Sequence, residues 1–249
     1  MFKVVAAIVF VLLAGTSYAY TNPPYEYYPY VATPDDNPPL NYTKVCLPGD
    51  RGEKSASYVV LGIFYPINRQ AVALSYDGDL VIPEKIDGLP VRRIMPSAFL
   101  GCQKLKSITI PSSVREIGDK AFVWCLSLER VEIGEGVQSI GAFAFSNCVK
   151  IASITLPSSL AIMGPGCFAR CNSLMDVRFN GNAPRLIGFI NNKEAPLGEK
   201  YFMGNDAPNR FRLYIKTGTL GWKYPYSNDV PERWPIEFGY DRSYEVVVD

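Results

Sequence analysis

The chain has 249 residues, of which 48% are hydrophobic, and this is enough apolar material to bury a sizeable core. Its 25 basic and 24 acidic side chains leave a net charge of +1, which gives no electrostatic reason to expect nucleic acid or a membrane surface as a partner. Histidine is absent from the sequence. This excludes Ser-His-Asp and Cys-His nucleophiles and any histidine metal site.

Residues 1–19 have the features of a removable secretory signal. Lys3 precedes an apolar run over residues 4–14, and the Ser-Tyr-Ala sequence at residues 17–19 supplies the small-x-small pattern of a cleavage site. The apolar run is shorter than the roughly 20 residues that a transmembrane helix needs. We therefore expect a secreted or extracytoplasmic protein, in the periplasm, at the cell surface or outside the cell, with no transmembrane segment.

Residues 20–43 are rich in proline and tyrosine and are predicted to form an extended linker, because closely spaced prolines remove backbone donors. The alternative is a tyrosine-proline motif that binds a partner or a sugar. Within the segment, Asn41-Tyr-Thr matches a glycosylation acceptor. Residues 44–77 are predicted to be an amino-terminal cap. Two β-branched runs in it, 58–64 and 71–74, flank a turn signal and predict a hairpin that covers the first repeat.

One residue pattern is written four times between residues 78 and 180, at a fixed interval of 23 residues. Self-similarity at a period of about 20 to 50 residues indicates stacked units that bury a shared core. The repeated phenylalanines, predicted to form the structural core, are Phe99, Phe122, Phe145 and Phe168. The repeated cysteines, predicted to form a structural ladder, are Cys102, Cys125, Cys148 and Cys171.

Each unit is predicted to contain one short strand, and alternate residues of a strand face opposite sides. If Ile108 and Ile110 face the core, the same alternation in four units leaves eight side chains in one outward strip. These candidate binding residues are Ser107, Thr109, Arg130, Glu132, Ser153, Thr155, Asp176 and Arg178. The strip mixes both charge signs and lacks aromatic residues, so it is equally typical of a solvated sheet face.

After each strand the chain is predicted to make a single helical turn, which in the second unit is capped by Asp119. The cysteine that follows each turn is predicted to be reduced and buried, as a small hydrophobe whose thiol serves a backbone carbonyl. Disulfides are the alternative, because rungs about 5 Å apart lie within bridging range. Cys167 is predicted to belong to the core, and Cys46 has no assignment. A metal site is not expected, since thiolates in a line do not make a tetrahedron.

The recurring Ile-Pro, Val-x-x-Ile-Gly, Ala-Phe and Cys elements resemble the BspA-like class of leucine-rich repeats, found on secreted and surface proteins of bacteria and some protists. The segments at 77–91, 177–184 and 213–222 are similar to the first repeat and to the closing segments of such arrays. The resemblance implies an α/β solenoid with strands and helical turns. It also implies a non-catalytic module for protein interaction or adhesion, and the family has no catalytic motif to transfer.

Residues 181–249 lose the repeat phase and are predicted to be an irregular, aromatic carboxy-terminal cap with strands at 211–215 and 244–248. One alternative is a glycan- or cell-envelope-binding protein that uses exposed aromatics such as Trp222 and Trp234. A second alternative is a carboxylate-dependent hydrolase in this cap. We predict a protein partner, no enzyme activity, no cofactor and no metal.

Overall fold

The computed structural model describes residues 27–30, 40–46, 56–62, 70–186, 211–220 and 244–248. The predicted signal sequence lies outside these residues, as do most of the predicted linker and most of the predicted carboxy-terminal cap.

The described residues contain sixteen strands and no helix. In chain order the strands are β1 (Tyr27–Tyr30), β2 (Tyr42–Val45), β3 (Tyr58–Leu61), β4 (Gly78–Val81), β5 (Lys85–Ile86), β6 (Leu89–Ile94), β7 (Leu105–Ile110), β8 (Glu116–Ile117), β9 (Arg130–Ile133), β10 (Ser139–Ile140), β11 (Ser153–Leu156), β12 (Ile162–Met163), β13 (Asp176–Phe179), β14 (Arg185–Leu186), β15 (Phe211–Ile215) and β16 (Tyr244–Val248).

These strands form one long sheet and two shorter ones. The long sheet has the order β1-β2-β3-β6-β8-β10-β12-β14, with β5 paired to β6, and the shorter sheets are β4-β7-β9 and β11-β13-β15-β16. All pairs from β6 towards the carboxy terminus are parallel, because each unit repeats the same path one rung further along. This confirms that the strands of successive repeat units are parallel.

The second unit shows how the sequence produces this path. Leu105, Ile108 and Ile110 in β7 are buried, while the intervening residues are exposed or half-buried. Pro111 follows the strand and cannot donate a backbone hydrogen bond. Ile117 in β8 then turns inward and is fully buried against the same core. Each unit thus contributes one strand to the long sheet and one strand to a shorter sheet.

The centre of the array is a stack of parallel phenylalanine rings. Ring centroids are 4.8 Å apart from Phe99 to Phe122, 4.9 Å from Phe122 to Phe145 and 5.5 Å from Phe145 to Phe168, and no interplanar angle exceeds 7°. All four rings are fully buried. Each ring of the four stacks on the rings of the adjacent units. The core is therefore continuous only when successive units stack.

The predicted helical turn is not confirmed. Residues 119–124 form consecutive turns, and Lys120 and Trp124 have φ values of 56° and 61°, which no right-handed helix accommodates. The Asp119 carboxylate also does not cap its own turn. It accepts a hydrogen bond of 2.7 Å from the backbone N–H of Ala142 in the next unit. The side chain therefore joins adjacent rungs and does not start a helix.

The hairpin predicted between 58–64 and 71–74 is not formed, because residues 71–74 are turns and bends and not a strand. Strand β3 pairs antiparallel with β2 and parallel with β6. Ala71 instead bridges two segments: its N–H donates to the Ala98 carbonyl (2.5 Å), and its carbonyl accepts from the N–H of Asn41 (2.7 Å). Strands β1 and β2 lie partly in the segment predicted to be a linker.

The possible glycosylation acceptor is engaged inside the fold. The Asn41 side chain is buried, and its Nδ2 donates to the Gln70 carbonyl at 2.7 Å. Thr43, the third residue of the tripeptide, is also buried and donates from Oγ1 to the Gly62 carbonyl at 3.1 Å. Both polar side chains therefore hold β2 to its neighbours.

One interruption divides the outer strands into two ladders. Strands β9 and β11 contact each other without forming a paired ladder. In the preceding unit the N–H of Gly134 donates to the Ile110 carbonyl at 2.8 Å, and in the following unit Asn180 donates to Leu156 at 3.0 Å. Pro157 occupies the equivalent position between these units and has no N–H to donate. The proline thus removes one of the hydrogen bonds that would join β9 to β11.

Candidate functional site

All eight predicted strip residues lie on β7, β9, β11 and β13, and each is exposed or half-buried. The register places Ser107 beside Arg130 and Thr109 beside Glu132. In the second ladder Ser153 is beside Asp176 and Thr155 is beside Arg178. The structure therefore brings the eight side chains together as four residues in each of two ladders.

The strip is longer than the four repeat strands indicate. Strand β4 adds Asp79 and Val81 at the amino-terminal end, where Val81 is 63% exposed. Strand β15 adds Arg212 and Tyr214 at the other end, in register with Asp176 and Arg178. We call these twelve outward positions, from Asp79 to Tyr214, the strand face. Sequence reasoning missed the four added residues, although alternation of apolar residues in 78–82 and 211–215 carried the signal.

Polar contacts link the side chains at the amino-terminal end of the strand face. Arg130 Nη2 lies 3.4 Å from Asp79 Oδ1, and the Ser107 hydroxyl donates to the same carboxylate. The Thr109 hydroxyl donates to Glu132 Oε2 at 3.1 Å. The side chains of Arg130 and Asp79 are 71% and 60% exposed. These contacts lie in solvent, where an ion pair contributes at most about 1 kcal/mol to stability.

The carboxy-terminal end of the strand face is held more firmly. Arg212 makes a two-pronged ion pair with Asp176, at 2.6 Å from Nε and 2.8 Å from Nη2. The guanidinium of Arg178 lies over the ring of Tyr214, with 4.3 Å between its central carbon and the ring centroid. In both contacts the planar guanidinium group of an arginine is held in one orientation, by a carboxylate for Arg212 and by an aromatic ring for Arg178. Asp176 and Arg178 are therefore committed to neighbours within the chain.

The repeated cysteines form a buried line beside the phenylalanine stack, and none of these four forms a disulfide. In three successive units the thiol donates to the carbonyl of the phenylalanine one unit earlier. These contacts are Cys125 to Phe99 (3.2 Å), Cys148 to Phe122 (3.1 Å) and Cys171 to Phe145 (3.1 Å). Each of these carbonyls also accepts the backbone N–H of the cysteine in its own unit, at 3.2 or 3.3 Å, so the thiol adds a second hydrogen bond that joins adjacent rungs.

Burial of these thiols suppresses their ionisation. Desolvation raises the pKa of Cys102 and that of Cys171 to about 12. It also raises the pKa values of Cys148 and Cys167. The thiolate is the nucleophile and the metal ligand, so a buried neutral thiol is unreactive near neutral pH. Among the described residues no group of three or more cysteine, aspartate or glutamate side chains is arranged to hold a metal ion.

Comparison with known proteins identifies the repeat. Residues 91–188 match the sequence model of the BspA type leucine rich repeat region, in six copies. The repeat units in this part of the chain are therefore similar to BspA-type leucine-rich repeats. The resemblance inferred from the sequence pattern is confirmed for this part of the chain. A search of curated proteins found no match.

Several solved leucine-rich repeat structures are similar to the chain. One is the leucine rich repeat protein TpLRR of T. pallidum, with 30% identity, a TM-score of 0.48, and coverage of 65% of this chain and 64% of that one. A second, from Bacteroides capillosus, has 27% identity, a TM-score of 0.43, and coverage of 56% and 94%. A third, from Bacteroides ovatus, has 24% identity, a TM-score of 0.39, and coverage of 64% and 45%. The chain thus spans 64% of the length of TpLRR.

Other site predictions fall outside the leucine-rich repeats. Trp222 and Trp234, the aromatic residues of the glycan-binding alternative, lie outside the described residues, as does most of the segment in which a carboxylate pair was considered. Within the part of the chain that the structure describes, helices long and apolar enough to cross a bilayer are not found.

The leucine-rich repeat cysteines give a direct test of the ladder. We expect the native protein to react with a thiol reagent only slowly at pH 8, because every cysteine is buried. After denaturation without reductant, all six thiols should react. Rapid labelling of Cys102, Cys125, Cys148 or Cys171 in the native state would contradict this expectation, and so would a disulfide between rungs in a mass spectrum.

Proposed function

We propose that the chain is a secreted or surface-exposed, non-catalytic protein-interaction or adhesion module whose repeat units stack as a solenoid. Its contact surface is the strand face. The observation that carries the proposal is the register within two parallel ladders, β4-β7-β9 and β11-β13-β15. Together they project twelve side chains outward. A rigid surface loses little conformational freedom when a partner binds.

The part of the strand face from β4 to β11 is best suited to exchange its contacts for those of a partner. Glu132, Ser153 and Thr155 are exposed, and the Arg130–Asp79 pair is weakly held in solvent. A partner that offers ionic groups in the same geometry can replace such a pair at small cost. Asp176 and Arg178, in contrast, must first leave Arg212 and Tyr214. Specificity is therefore assigned mainly to Arg130 and Glu132.

The size of the strand face limits how a partner can dock. Six strands spaced about 4.8 Å apart span about 24 Å, and four residues of strand extend about 13 Å. This area is well below the roughly 800 Å² that each side of a standard interface buries. A stable partner must therefore also contact the loops that border the strand face.

Site-specific photo-crosslinking tests the proposal. A photoreactive residue at Thr155, on the strand face, is compared with one at Gln138, an exposed residue next to β10 in the opposite sheet. On cells or matrix that carry partners, the Thr155 probe should capture a protein that the Gln138 probe does not. With that protein purified, the combined Arg130→Ala, Glu132→Ala, Asp176→Ala and Arg178→Ala variant should bind about tenfold more weakly or worse.

Most of that loss should come from the Arg130→Ala and Glu132→Ala pair. The melting temperature of this Arg130→Ala and Glu132→Ala pair should not move, because the contacts of both side chains are exposed. Equal capture from both probe positions, or unchanged affinity of the fourfold variant, would place the contact surface elsewhere.

A further inference from the structure

A second surface lies where the turns of successive units stack. The turns at 96–104, 119–127, 142–150 and 165–173 lie side by side, and we call this surface the turn edge. Backbone hydrogen bonds join its rungs: the N–H of Lys120 donates to the Ala142 carbonyl (2.8 Å), and that of Phe143 to the Pro165 carbonyl (2.8 Å). Side chains at equivalent positions therefore form straight rows along the array, one per rung.

Two positions in every turn adopt the left-handed conformation. The first row comprises Ser97, Lys120, Phe143 and Gly166, and the second comprises Gly101, Trp124, Asn147 and Arg170. Their φ values lie between 55° and 74°. Only glycine takes this conformation without a steric penalty, and it does so at Gly101 and Gly166. Four of the other six positions carry a bulky aromatic or cationic side chain, although glycine would suit the backbone better. These residues are Lys120, Trp124, Phe143 and Arg170.

The two aromatic residues at left-handed positions, Trp124 and Phe143, do not offset this cost by filling the core. Trp124 is 53% exposed and Phe143 is 42% exposed, whereas the four rings of the central stack are fully buried. The Phe143 ring lies against the backbone of Gly166. A Cβ there would be only 2.5 Å and 2.6 Å from two ring carbons, so glycine makes room for the ring. Exposed aromatic groups held at strained positions indicate a function in binding.

The turn edge also carries more cations than carboxylates, and most of these cations form no ion pair with a residue that the structure describes. Its charged residues are the cations Lys104, Lys120, Lys150 and Arg170 and the carboxylate of Asp119. Asp119 is occupied by the Ala142 N–H, and Lys150 pairs with Glu129 at 3.1 Å. Within the described residues, the other three cations make no ion pair. On the strand face, by comparison, Arg130 and Arg212 each pair with a carboxylate of the chain.

We propose that the turn edge binds an acidic polysaccharide. The cations would pair with its carboxylate or sulfate groups. The Trp124 and Phe143 rings would pack against the C–H faces of its sugars, because the negative face of an aromatic ring attracts weakly positive C–H groups. Straight rows of side chains about 4.8 Å apart suit an extended chain that runs along the array.

An acidic peptide is the competing ligand, since it would satisfy the same cations. It offers no rigid series of C–H faces for the two rings, so the aromatic positions favour a polysaccharide. The proposal concerns the turn edge alone and is independent of the protein-binding role of the strand face.

Glycine substitutions give a clean experiment, because they remove side chains at positions where glycine relieves backbone strain and the fold should be retained. The probes are heparin and polygalacturonate, with dextran as the neutral control and poly-glutamate as the acidic peptide. Trp124→Gly with Phe143→Gly removes both rings at constant charge. Lys120→Gly with Arg170→Gly removes two cations, and Arg130→Ala, which removes one cation from the strand face, is the control for loss of charge outside the turn edge.

We expect both polyanionic sugars to bind the native chain and dextran not to bind. Each glycine pair should weaken that binding by about tenfold, and Arg130→Ala should leave it within about twofold. The charge pair should also reduce the salt dependence of binding, which the aromatic pair should not change. The proposal would be overturned if poly-glutamate bound as tightly as the polysaccharides and if its affinity did not change when both rings were removed. The turn edge would then be a site for acidic proteins. The proposal would also be overturned if neither heparin nor polygalacturonate bound the native chain.

Discussion

Replacement of Phe122 by alanine is expected to lower the free energy of unfolding by about 3–5 kcal/mol. The ring is fully buried between those of Phe99 and Phe145, at 4.8 Å and 4.9 Å. Alanine would leave a cavity that the hydrogen-bonded rungs on both sides cannot close. Urea denaturation followed by circular dichroism measures the loss.

Trp124→Ala is the matched control for Phe122→Ala. It removes a larger aromatic side chain two residues further along the same turn, but that side chain is 53% exposed. Its removal should change the free energy of unfolding by no more than about 0.5 kcal/mol. Lys120→Ala, on the same turn, should be nearly silent as well. Equal losses for Phe122→Ala and Trp124→Ala would mean that the repeat register is wrong.

The core could be predicted from the sequence because its signal is periodic. Phe122 recurs at the same interval as its neighbours in the stack, and a position that is apolar in every unit must face the shared core. The outward strip followed from the same periodicity, since Ile108 and Ile110 determine where Ser107 and Thr109 point. The repetition of the pattern therefore predicted which side chains face the core, which no single residue could indicate.

The turns could not be predicted in the same way. Left-handed residues are usually recognised by glycine or asparagine, but Lys120, Trp124 and Phe143 adopt this conformation without either. Asp119 carries the signature of a helix cap, and it does accept a backbone N–H, but from the next unit. Local sequence patterns predicted the right kind of hydrogen bond and the wrong partner, because stacking overrides local preference.

The strands at the ends of the array were predicted, but their pairing partners were not, for a related reason. Residues 58–61 form a strand as predicted, but its antiparallel partner is β2 and not the apolar run at 71–74. At the other end, Arg212 and Tyr214 complete the strand face from a segment that lies outside the repeat phase. Pairing between distant segments leaves no periodic trace in one sequence, so only the three-dimensional structure shows it.

Replacement of Gly118 by alanine is expected to destabilise the protein by about 3 kcal/mol, through overpacking of the backbone between rungs. A Cβ on Gly118 would lie 2.6 Å from the nitrogen of Pro96 and 2.9 Å from the carbonyl carbon of Met95 in the preceding unit. Both are backbone atoms, so relief requires the rungs to separate. Gly141 and Gly164 occupy the same position in the next two units and meet backbone atoms in the same way.

Gly88→Ala separates this packing effect from the loss of glycine's conformational freedom. Gly88 has a φ of 78°, and a Cβ there would meet nothing within 4 Å. Alanine at this position should therefore cost only the left-handed penalty of about 1–2 kcal/mol. Gly118 is not in the left-handed region, so its whole cost should come from contact with the preceding rung. If urea denaturation gave Gly118→Ala the smaller loss of the two, the close approach of adjacent rungs would not be what requires glycine there.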